Sequence, residues 1–240
     1  MALFRYIRRK AFDVGLWLLS AVCVLVMLKA SSDPAPTWAR GTSIQALLAP
    51  FPTGNQIAFD ASVGVIVSLL VYVLVVRLPE RKKRLRIKAT LKRQYSILKE
   101  ECIINLLFAC EGSADLDLVE RLKDLEECKS FFNQPVSADQ NRWHAVLNGL
   151  DEQKVKAIIQ ELSVFRRELE YALISVDVKN SETFAFLRRL AHVLQRSQSW
   201  TAEYEEIRPL SQFMWSILTG WDPVRGYTGK DVVTEMIDAV

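Results

Sequence analysis

The chain has 240 residues, with 31 Lys or Arg, 28 Asp or Glu and a net charge of +3. This length is sufficient for one ordinary domain together with a membrane anchor. The charge is segregated: residues 77–93 hold nine basic residues and one acidic residue, whereas residues 94–240 hold 16 basic and 24 acidic residues. A nucleic-acid-binding protein is expected to carry its positive charge on its folded domain. Because this chain does the reverse, we do not expect a nucleic-acid partner.

Two apolar segments in the first third of the chain predict membrane-spanning helices. Residues 14–28 follow a basic start, and residues 61–76 run directly into the basic residues 77–93. As a helix, each segment covers about 22–24 Å of a hydrocarbon core about 30 Å thick, so flanking residues have to supply the rest. Both outer ends of the pair are basic and the connection carries little positive charge, which predicts that both termini are cytoplasmic.

Two other interpretations of these segments stay open. In the first, they form a buried hairpin inside a water-soluble protein, although the basic flanks argue against it. In the second, residues 1–30 are a cleaved signal peptide, which has the same basic start and short apolar core. The second alternative leaves the orientation of the helix at 61–76 unchanged.

The predicted fold class is all-α, with a two-helix transmembrane hairpin followed by a cytoplasmic multi-helix bundle. Size and layout suggest the inner membrane of a bacterium. We divide the chain into a cytoplasmic basic N-terminus (1–10), transmembrane helix 1 (11–29), an extracytoplasmic proline-rich loop (30–57), transmembrane helix 2 (58–78), a basic juxtamembrane collar (79–93) and a cytoplasmic helical domain (94–240).

The proline-rich loop carries four prolines, which prevent a long helix. A loop of this length either binds something outside the cell or covers the helix ends, and we favour the second interpretation.

The basic collar and the end of the second apolar segment are expected to bind a bilayer with anionic headgroups. Each basic residue close to such a surface contributes about 1 kcal/mol. An acidic protein or a nucleic acid is the alternative ligand for this charge. The predicted lipid-binding residues are Arg77, Arg81, Lys82, Lys83, Arg84, Arg86 and Lys88.

Small residues line one side of the second apolar segment at three- and four-residue spacing: Ala61, Gly64 and Ser68. Such a face permits close contact between helices in lipid. The spacing does not decide whether its partner is the first helix or a second subunit. No charged residue lies at mid-depth, where a proton or ion path would need one.

The cytoplasmic domain is predicted to consist of helices only. Asp151 is expected to cap a long helix whose apolar residues follow a heptad spacing. This heptad seam could join two subunits or pack inside one bundle, and we favour the bundle. The seam consists of Val155, Ile158, Leu162, Phe165, Leu169, Ala172 and Val176.

Other helix boundaries in this domain follow from capping residues. We expect a helix over residues 95–110 that ends at Gly112, and a second, started by Ser113 or Asp115, that continues as far as Cys128. A short helix should start at Ser137 or Asp139 and end at Asn148 and Gly149. Further helices are predicted over residues 182–196, 200–218 and 230–239.

No catalytic, cofactor or metal site is predicted. The four cysteines, Cys23, Cys102, Cys110 and Cys128, lack a zinc or redox spacing, so we interpret them as reduced thiols of a cytoplasmic compartment. His144 and His192 have no carboxylate or histidine ligands at helical spacing. The segment 226–230 resembles a phosphate loop only superficially, because it lacks the first glycine and the Ser or Thr after the lysine.

One surface stretch, residues 220–227, combines glycines with aromatic side chains and an arginine, the mixture enriched in binding hot spots. The predicted partner-binding residues are Trp221, Asp222, Arg225 and Tyr227. The alternative is that Trp221 and Tyr227 only attach the last helix to the bundle.

Three functional hypotheses follow. The preferred one is a non-enzymatic membrane protein that acts as an anchor, sensor or effector subunit and binds a protein partner or itself, as a homo-oligomer, through its cytoplasmic domain. The second is an oligomer that perturbs the membrane or forms a pore, of the stress or phage-defence type. The third is a membrane-tethered enzyme with an unfamiliar site, which would require a polar cleft around His144 or His192.

Overall fold

The computed structural model describes residues 2–30, 54–137, 139–201, 203–222 and 226–240, with side chains described from residue 14 onwards except at 204–206. Helices dominate these residues, which confirms the all-α prediction. The chain divides into two compact units, Met1–Lys82 and Lys83–Val240. The proline-rich loop predicted over residues 30–57 falls almost entirely outside the described residues.

The described residues of the first unit include two long helices that contact each other, α1 (Ala2–Ala30) and α2 (Asn55–Tyr72). Its few buried side chains are small: Cys23 and Ala30 on α1 and Ser62 on α2. The Ser62 hydroxyl donates to the carbonyl oxygen of Ala58 at 2.8 Å, which satisfies its polar group within the helix. Short side chains at these positions let the two backbones approach closely.

A π-helical turn, Val73–Arg77, follows α2 and leads into α3 (Leu78–Cys110). The amide of Leu78 donates to the carbonyl oxygen of Val73, five residues back. The cause lies just downstream, because Pro79 has no amide hydrogen and its ring crowds the carbonyl four residues earlier. A wider turn relieves this clash, so the helix continues through the proline instead of ending there.

Among the described residues, one helix is long and apolar enough to cross a membrane. It is the continuous helical stretch Asn55–Cys110. Its most apolar 18 residues have a mean hydropathy of 2.4, and only 6% of them are buried. The apolar part of α1, Val14–Ala30, is shorter than such a span. The predicted two-helix transmembrane hairpin is therefore not supported, because the described residues contain only one candidate span.

The second unit begins at Lys83, inside the segment predicted as the collar. It contains the later part of α3 and seven further helices among the described residues. Those are α4 (Leu116–Arg121), α5 (Leu125–Phe132), α6 (Arg142–Gly149), α7 (Glu152–Ser175), α8 (Ser181–Arg196), α9 (Tyr204–Thr219) and α10 (Val232–Asp238). A single 3₁₀ turn, Ser197–Ser199, follows α8.

The core of this unit is arranged around α7. All seven residues of the heptad seam are buried. The ring of Phe165 contacts that of Tyr95 on α3, with 5.5 Å between the ring centres. Because this burial occurs within one chain, the seam packs inside a single bundle, which is the alternative that the sequence favoured. Burying these seven side chains supplies a large part of the hydrophobic stabilisation of the unit, at about 25 cal/mol per Å² of apolar surface removed from water.

Side-chain caps confirm the helix starts predicted at Asp115 and Asp151, and they correct two other predicted boundaries. Asp115, Asp151 and Asn180 each accept a hydrogen bond from a first-turn amide. The helix predicted to continue as far as Cys128 is in fact two helices, because Asp124 caps α5 and interrupts it. The short helix α6 begins after Asn141, whose side chain accepts from the amide of His144, and not at Ser137 or Asp139.

Two very short antiparallel ladders were not predicted. β1 (Pro135–Ser137) pairs with β2 (Gln140–Asn141), and β3 (Trp221–Asp222) pairs with β4 (Gly226–Tyr227). Strands of two or three residues have too few positions to show an alternating pattern, so the sequence could not reveal them.

Gly149 lies at a close approach between two helices of the second unit, α6 and α3. A Cβ atom at this position would lie 1.9 Å from the carbonyl oxygen of Ala109, which belongs to the α3 backbone. The glycine therefore allows α6 to touch α3, in addition to its predicted role in ending the helix.

Candidate functional site

The basic residues around the start of α3 divide into two groups. The first consists of exposed side chains, Arg81, Lys82, Lys83 and Arg86. None of these four makes an ion pair or hydrogen bond with any part of the chain that the structure describes. They are therefore accessible to an anionic surface, and their binding to lipid stays a prediction.

The second group contacts the helical unit instead. Arg84 donates to the carbonyl oxygen of Asp177 at 3.0 Å. Lys88 and Lys92 both reach the carboxylate of Asp238, at 3.0 and 2.7 Å. Arg84 and Lys88 are among the predicted lipid-binding residues, and the structure gives both of them protein partners.

The apolar residues of the collar explain this division. Ile87 and Leu91 are 6% and 1% exposed and continue the buried face of α3 formed by Tyr95 and Leu98. Arg84 lies three residues before Ile87, and Lys88 lies three residues before Leu91, so both basic residues border this buried face. Part of the collar is therefore the first turns of the folded unit.

Lys92 and Lys88, in that order, lower the pKa of the Asp238 carboxyl below its ordinary value through their hydrogen bonds. Asp238 is the last residue of α10, so these contacts fasten the end of that helix to α3.

A buried polar cluster joins α10 to α3 at a second point. Asp231 accepts from the Tyr95 hydroxyl at 3.0 Å and from the Lys99 ammonium at 3.3 Å, and it also caps α10 by accepting from the amide of Thr234. Burial, followed by the Asp231 carboxylate, raises the pKa of the Tyr95 phenol well above its ordinary value. Tyr95 therefore remains a hydrogen-bond donor at physiological pH.

This cluster borders a shallow pocket of about 260 Å³, lined by Lys92, Tyr95, Ser96, Lys99, Lys123, Asp231 and Thr234. Its lysines already have partners, because Lys99 also donates to the carbonyl oxygen of Lys123 and Lys123 pairs with Glu100 at 2.8 Å. With each positive charge matched by a carboxylate, the pocket is a structural junction between α3 and α10.

The small-residue face of α2 does not meet α1. Ala61, Gly64 and Ser68 are exposed, whereas Ser62 is buried and Ile66 and Leu69 are half-buried. The Ser68 hydroxyl donates to the carbonyl oxygen of Gly64 at 2.8 Å. α1 therefore packs on a neighbouring face, and the predicted small-residue face is accessible in the single chain.

The predicted partner-binding stretch forms the β3–β4 hairpin. Trp221 and Asp222 lie on β3 and Tyr227 on β4, directly opposite Trp221, while Arg225 lies outside the described residues. The ammonium of Lys129, on α5, lies 4.0 Å from the centre of the Tyr227 ring, a cation–π contact. Tyr227 is nevertheless 44% exposed, so its outer surface is accessible.

A second exposed surface, between α7 and α8, was missed by the sequence analysis. A groove of about 410 Å³ is lined there by Glu170, Leu173, Ile174, Phe184, Arg188, Ala191, His192 and Gln195. Ile174 is 87% exposed, and Tyr171 next to it is also exposed. The available signal was that Ile174 is a large apolar residue that falls outside the heptad seam.

Groups with catalytic potential are not brought together in the described part of the chain. His144 is exposed on α6, and His192 lies at the groove between α7 and α8 without a hydrogen bond to Glu170. No cluster of His, Cys, Asp or Glu among the described residues could hold a metal ion. Burial raises the thiol pKa of Cys102 and Cys128 to about 12 and that of Cys110 to about 11, so these thiols stay protonated.

No protein-family model, curated protein sequence or solved structure is significantly similar to this chain.

Proposed function

We propose that this protein is a non-enzymatic membrane anchor whose cytoplasmic helical unit binds a protein partner or a second copy of itself, as the anchor, sensor or effector subunit of an assembly. The proposed location is a bacterial inner membrane, with both termini in the cytoplasm and α1 and α2 forming the membrane hairpin.

The observation that carries the proposal is the apolar stretch of α2 and the π-helical turn. Helical residues Asn55–Arg77 cover roughly 33 Å at about 1.5 Å per residue, which exceeds the hydrocarbon core of about 30 Å. Only 6% of its most apolar 18 residues are buried, which is unlike the mostly buried core helix of a soluble domain. Exposed basic residues follow it immediately, as expected on the cytoplasmic side.

The surface of the helical unit supports a binding role. Ile174 and Phe184 expose apolar surface at one groove, and exposed apolar surface bordered by charged residues is typical of protein interaction sites. Glu170 and Arg188 border this groove and supply the polar rim.

Alkaline carbonate extraction of native membranes tests the anchor. We expect the full chain to stay in the membrane pellet, and its release into the soluble fraction would refute the proposal.

Crosslinking in the same membranes tests the binding role. We expect Ile174→Glu to remove a crosslinked species that the wild type forms. Leu116→Glu should keep that species, because Leu116 is 74% exposed but lies outside the groove on α4. Equal crosslinking of both variants would show that the groove between α7 and α8 is not the binding surface.

A second candidate function is an oligomer that perturbs the membrane. The exposed face of Ala61, Gly64 and Ser68 favours it, because a second copy could pack there. Dye release from liposomes that contain the purified protein separates the candidates. Leakage that disappears in Gly64→Leu would favour the membrane-perturbing oligomer. Vesicles that stay intact with the wild type would favour the anchor instead.

A further inference from the structure

The first unit contains a groove with two different ends. It has a volume of about 780 Å³ and lies between α1 and the helical stretch that runs from α2 to the start of α3. Most of its lining is aliphatic, but two arginines lie at the C-terminal end of the helical stretch that lines it. The lining residues are Leu16, Trp17, Ser20, Ile66, Leu69, Leu70, Val73, Leu74, Arg77, Leu78 and Arg81.

The two arginines are positioned to act together. Arg77 and Arg81 are four residues apart, so their Cβ atoms lie about 5–6 Å from each other on one side of the helix. Arg77 is the last residue of the π-helical turn Val73–Arg77, and Val73 and Leu74 of that turn also line the groove. Guanidinium groups bind phosphate oxygens through two parallel hydrogen bonds, which makes arginine well suited to a phosphate ligand.

The aliphatic part of the groove has a different chemistry. Ile66, Leu69 and Leu70 offer only hydrocarbon surface, so they suit the acyl chains of a lipid. Trp17 of α1 lines the same groove and is 78% exposed, so a bound lipid would lie next to its ring. The groove thus matches one molecule with an anionic phosphate head and long apolar chains.

We infer that this groove binds a single anionic phospholipid, with its phosphate between Arg77 and Arg81 and its acyl chains along the aliphatic residues of α1 and α2. The inference rests on the proposed membrane location. It goes beyond the general attraction of the basic collar, because it assigns one bound lipid to a defined site. Basic pockets between membrane helices on the cytoplasmic side are known to recognise anionic headgroups in this way.

Trp17 provides the reporter for a test. The full-length protein is reconstituted in phosphatidylcholine vesicles that contain a fixed minor fraction of brominated phosphatidylglycerol or, in parallel, brominated phosphatidylcholine. Bromine quenches tryptophan fluorescence at short range. The protein contains 6 tryptophans, so the Trp17→Phe variant is measured in parallel and its signal is subtracted to isolate Trp17.

At equal mole fraction, we expect the brominated anionic lipid to quench Trp17 much more strongly than the brominated neutral lipid. Each arginine contact should favour the anionic lipid about fivefold, so Arg81→Gln should lower the preference about fivefold and Arg77→Gln with Arg81→Gln should abolish it. Arg93→Gln is the matched control, because it removes one exposed positive charge that does not line the groove. This control should keep the full preference.

Three outcomes would overturn the inference. Equal quenching by both lipids means that Trp17 faces lipid but that no anionic lipid is selected, and the membrane anchor survives this result. Quenching by neither lipid in vesicle-bound protein means that a second copy or another protein segment fills the groove. Loss of the preference in Arg93→Gln to the same extent as in Arg81→Gln means that only general surface charge acts. Failure of the protein to associate with vesicles would instead refute the proposed membrane anchor itself.

Discussion

Helices α2 and α7 are both rich in aliphatic residues, but they place these residues in opposite environments. On α7, apolar residues follow a heptad spacing, and Ile158 and Leu169 are fully buried against the other helices. On α2, apolar residues occur on every side, and Ile57, Val67 and Leu70 are more than half exposed. A helix that is apolar all round and uncovered by protein needs an apolar surrounding. The arrangement of hydrophobic residues, more than their number, therefore distinguishes a helix that packs in protein from one suited to lipid.

A matched pair of isoleucines gives the largest expected effect. Ile158→Ala should reduce the free energy of unfolding of the helical unit by about 2–5 kcal/mol, because it leaves a cavity in a close-packed core. Ile57→Ala, at a residue that is 78% exposed, should change it by less than about 0.5 kcal/mol. Denaturant titration of the full chain in detergent, followed by circular dichroism, measures both. Similar losses in the two variants would contradict the comparison.

A charge in the middle of α2 tests whether this helix holds the protein in the membrane. Val67→Arg should disfavour membrane insertion by about 2.5–3.5 kcal/mol, the cost of arginine at the centre of a spanning helix. The carbonate-resistant fraction should fall accordingly, while Val67→Leu should remain in the pellet. If Val67→Arg were retained as well as the wild type, α2 would not be the segment that holds the protein in the membrane.

Two glycines extend the comparison to backbone packing. Gly149→Ala should destabilise the helical unit by about 1–3 kcal/mol, because the new methyl group would collide with the α3 backbone at Ala109. Gly15→Ala, on α1, should leave the unfolding of the helical unit unchanged, because a Cβ there meets nothing within 4 Å. The thermal unfolding midpoint measures both, and a stable Gly149→Ala variant would mean that α6 and α3 do not touch.

The smallest expected effect concerns the exposed ion pairs of Asp238. Since Lys92 and Lys88 lower its pKa in the folded state, this carboxylate stabilises the fold above its ordinary pKa of 3.8 and loses that contribution as the pH falls further. The wild type should therefore unfold at a slightly higher temperature than Asp238→Asn at neutral pH. The difference should shrink below pH 3.8, and a difference independent of pH would rule out the ion pairs as its cause.

The sequence was sufficient to predict the helical class and the heptad seam, because both depend on local periodicity and capping. Asp151 and the spacing from Val155 to Val176 specify α7 without knowledge of its neighbours. The interruption at Asp124 was missed because Leu118, Leu122 and Leu125 keep a helical spacing across it. Only the hydrogen bonds of the Asp124 side chain show where one helix ends and the next begins.

Features that depend on distant parts of the chain could not be predicted. Gly149 was interpreted as a helix stop, since its contact with Ala109 exists only in three dimensions. Arg84 and Lys88 were interpreted as lipid-binding, because their partners, Asp177 and Asp238, lie 93 and 150 residues away. The buried Ile87 and Leu91 were visible in the sequence, however, and their phase with Tyr95 would have indicated that the folded unit starts before residue 94.

The attachment of α10 to α3 has a consequence for how the protein is made. Asp231 and Asp238 join the last helix to residues that leave the ribosome more than one hundred positions earlier. Until α10 is synthesised, Tyr95 and Lys99 lack the carboxylate that satisfies them, so the bundle can close only after α10 has emerged from the ribosome. A ribosome stalled shortly before Asp231 should hold a nascent chain that proteases digest readily, whereas the released full-length chain should resist them.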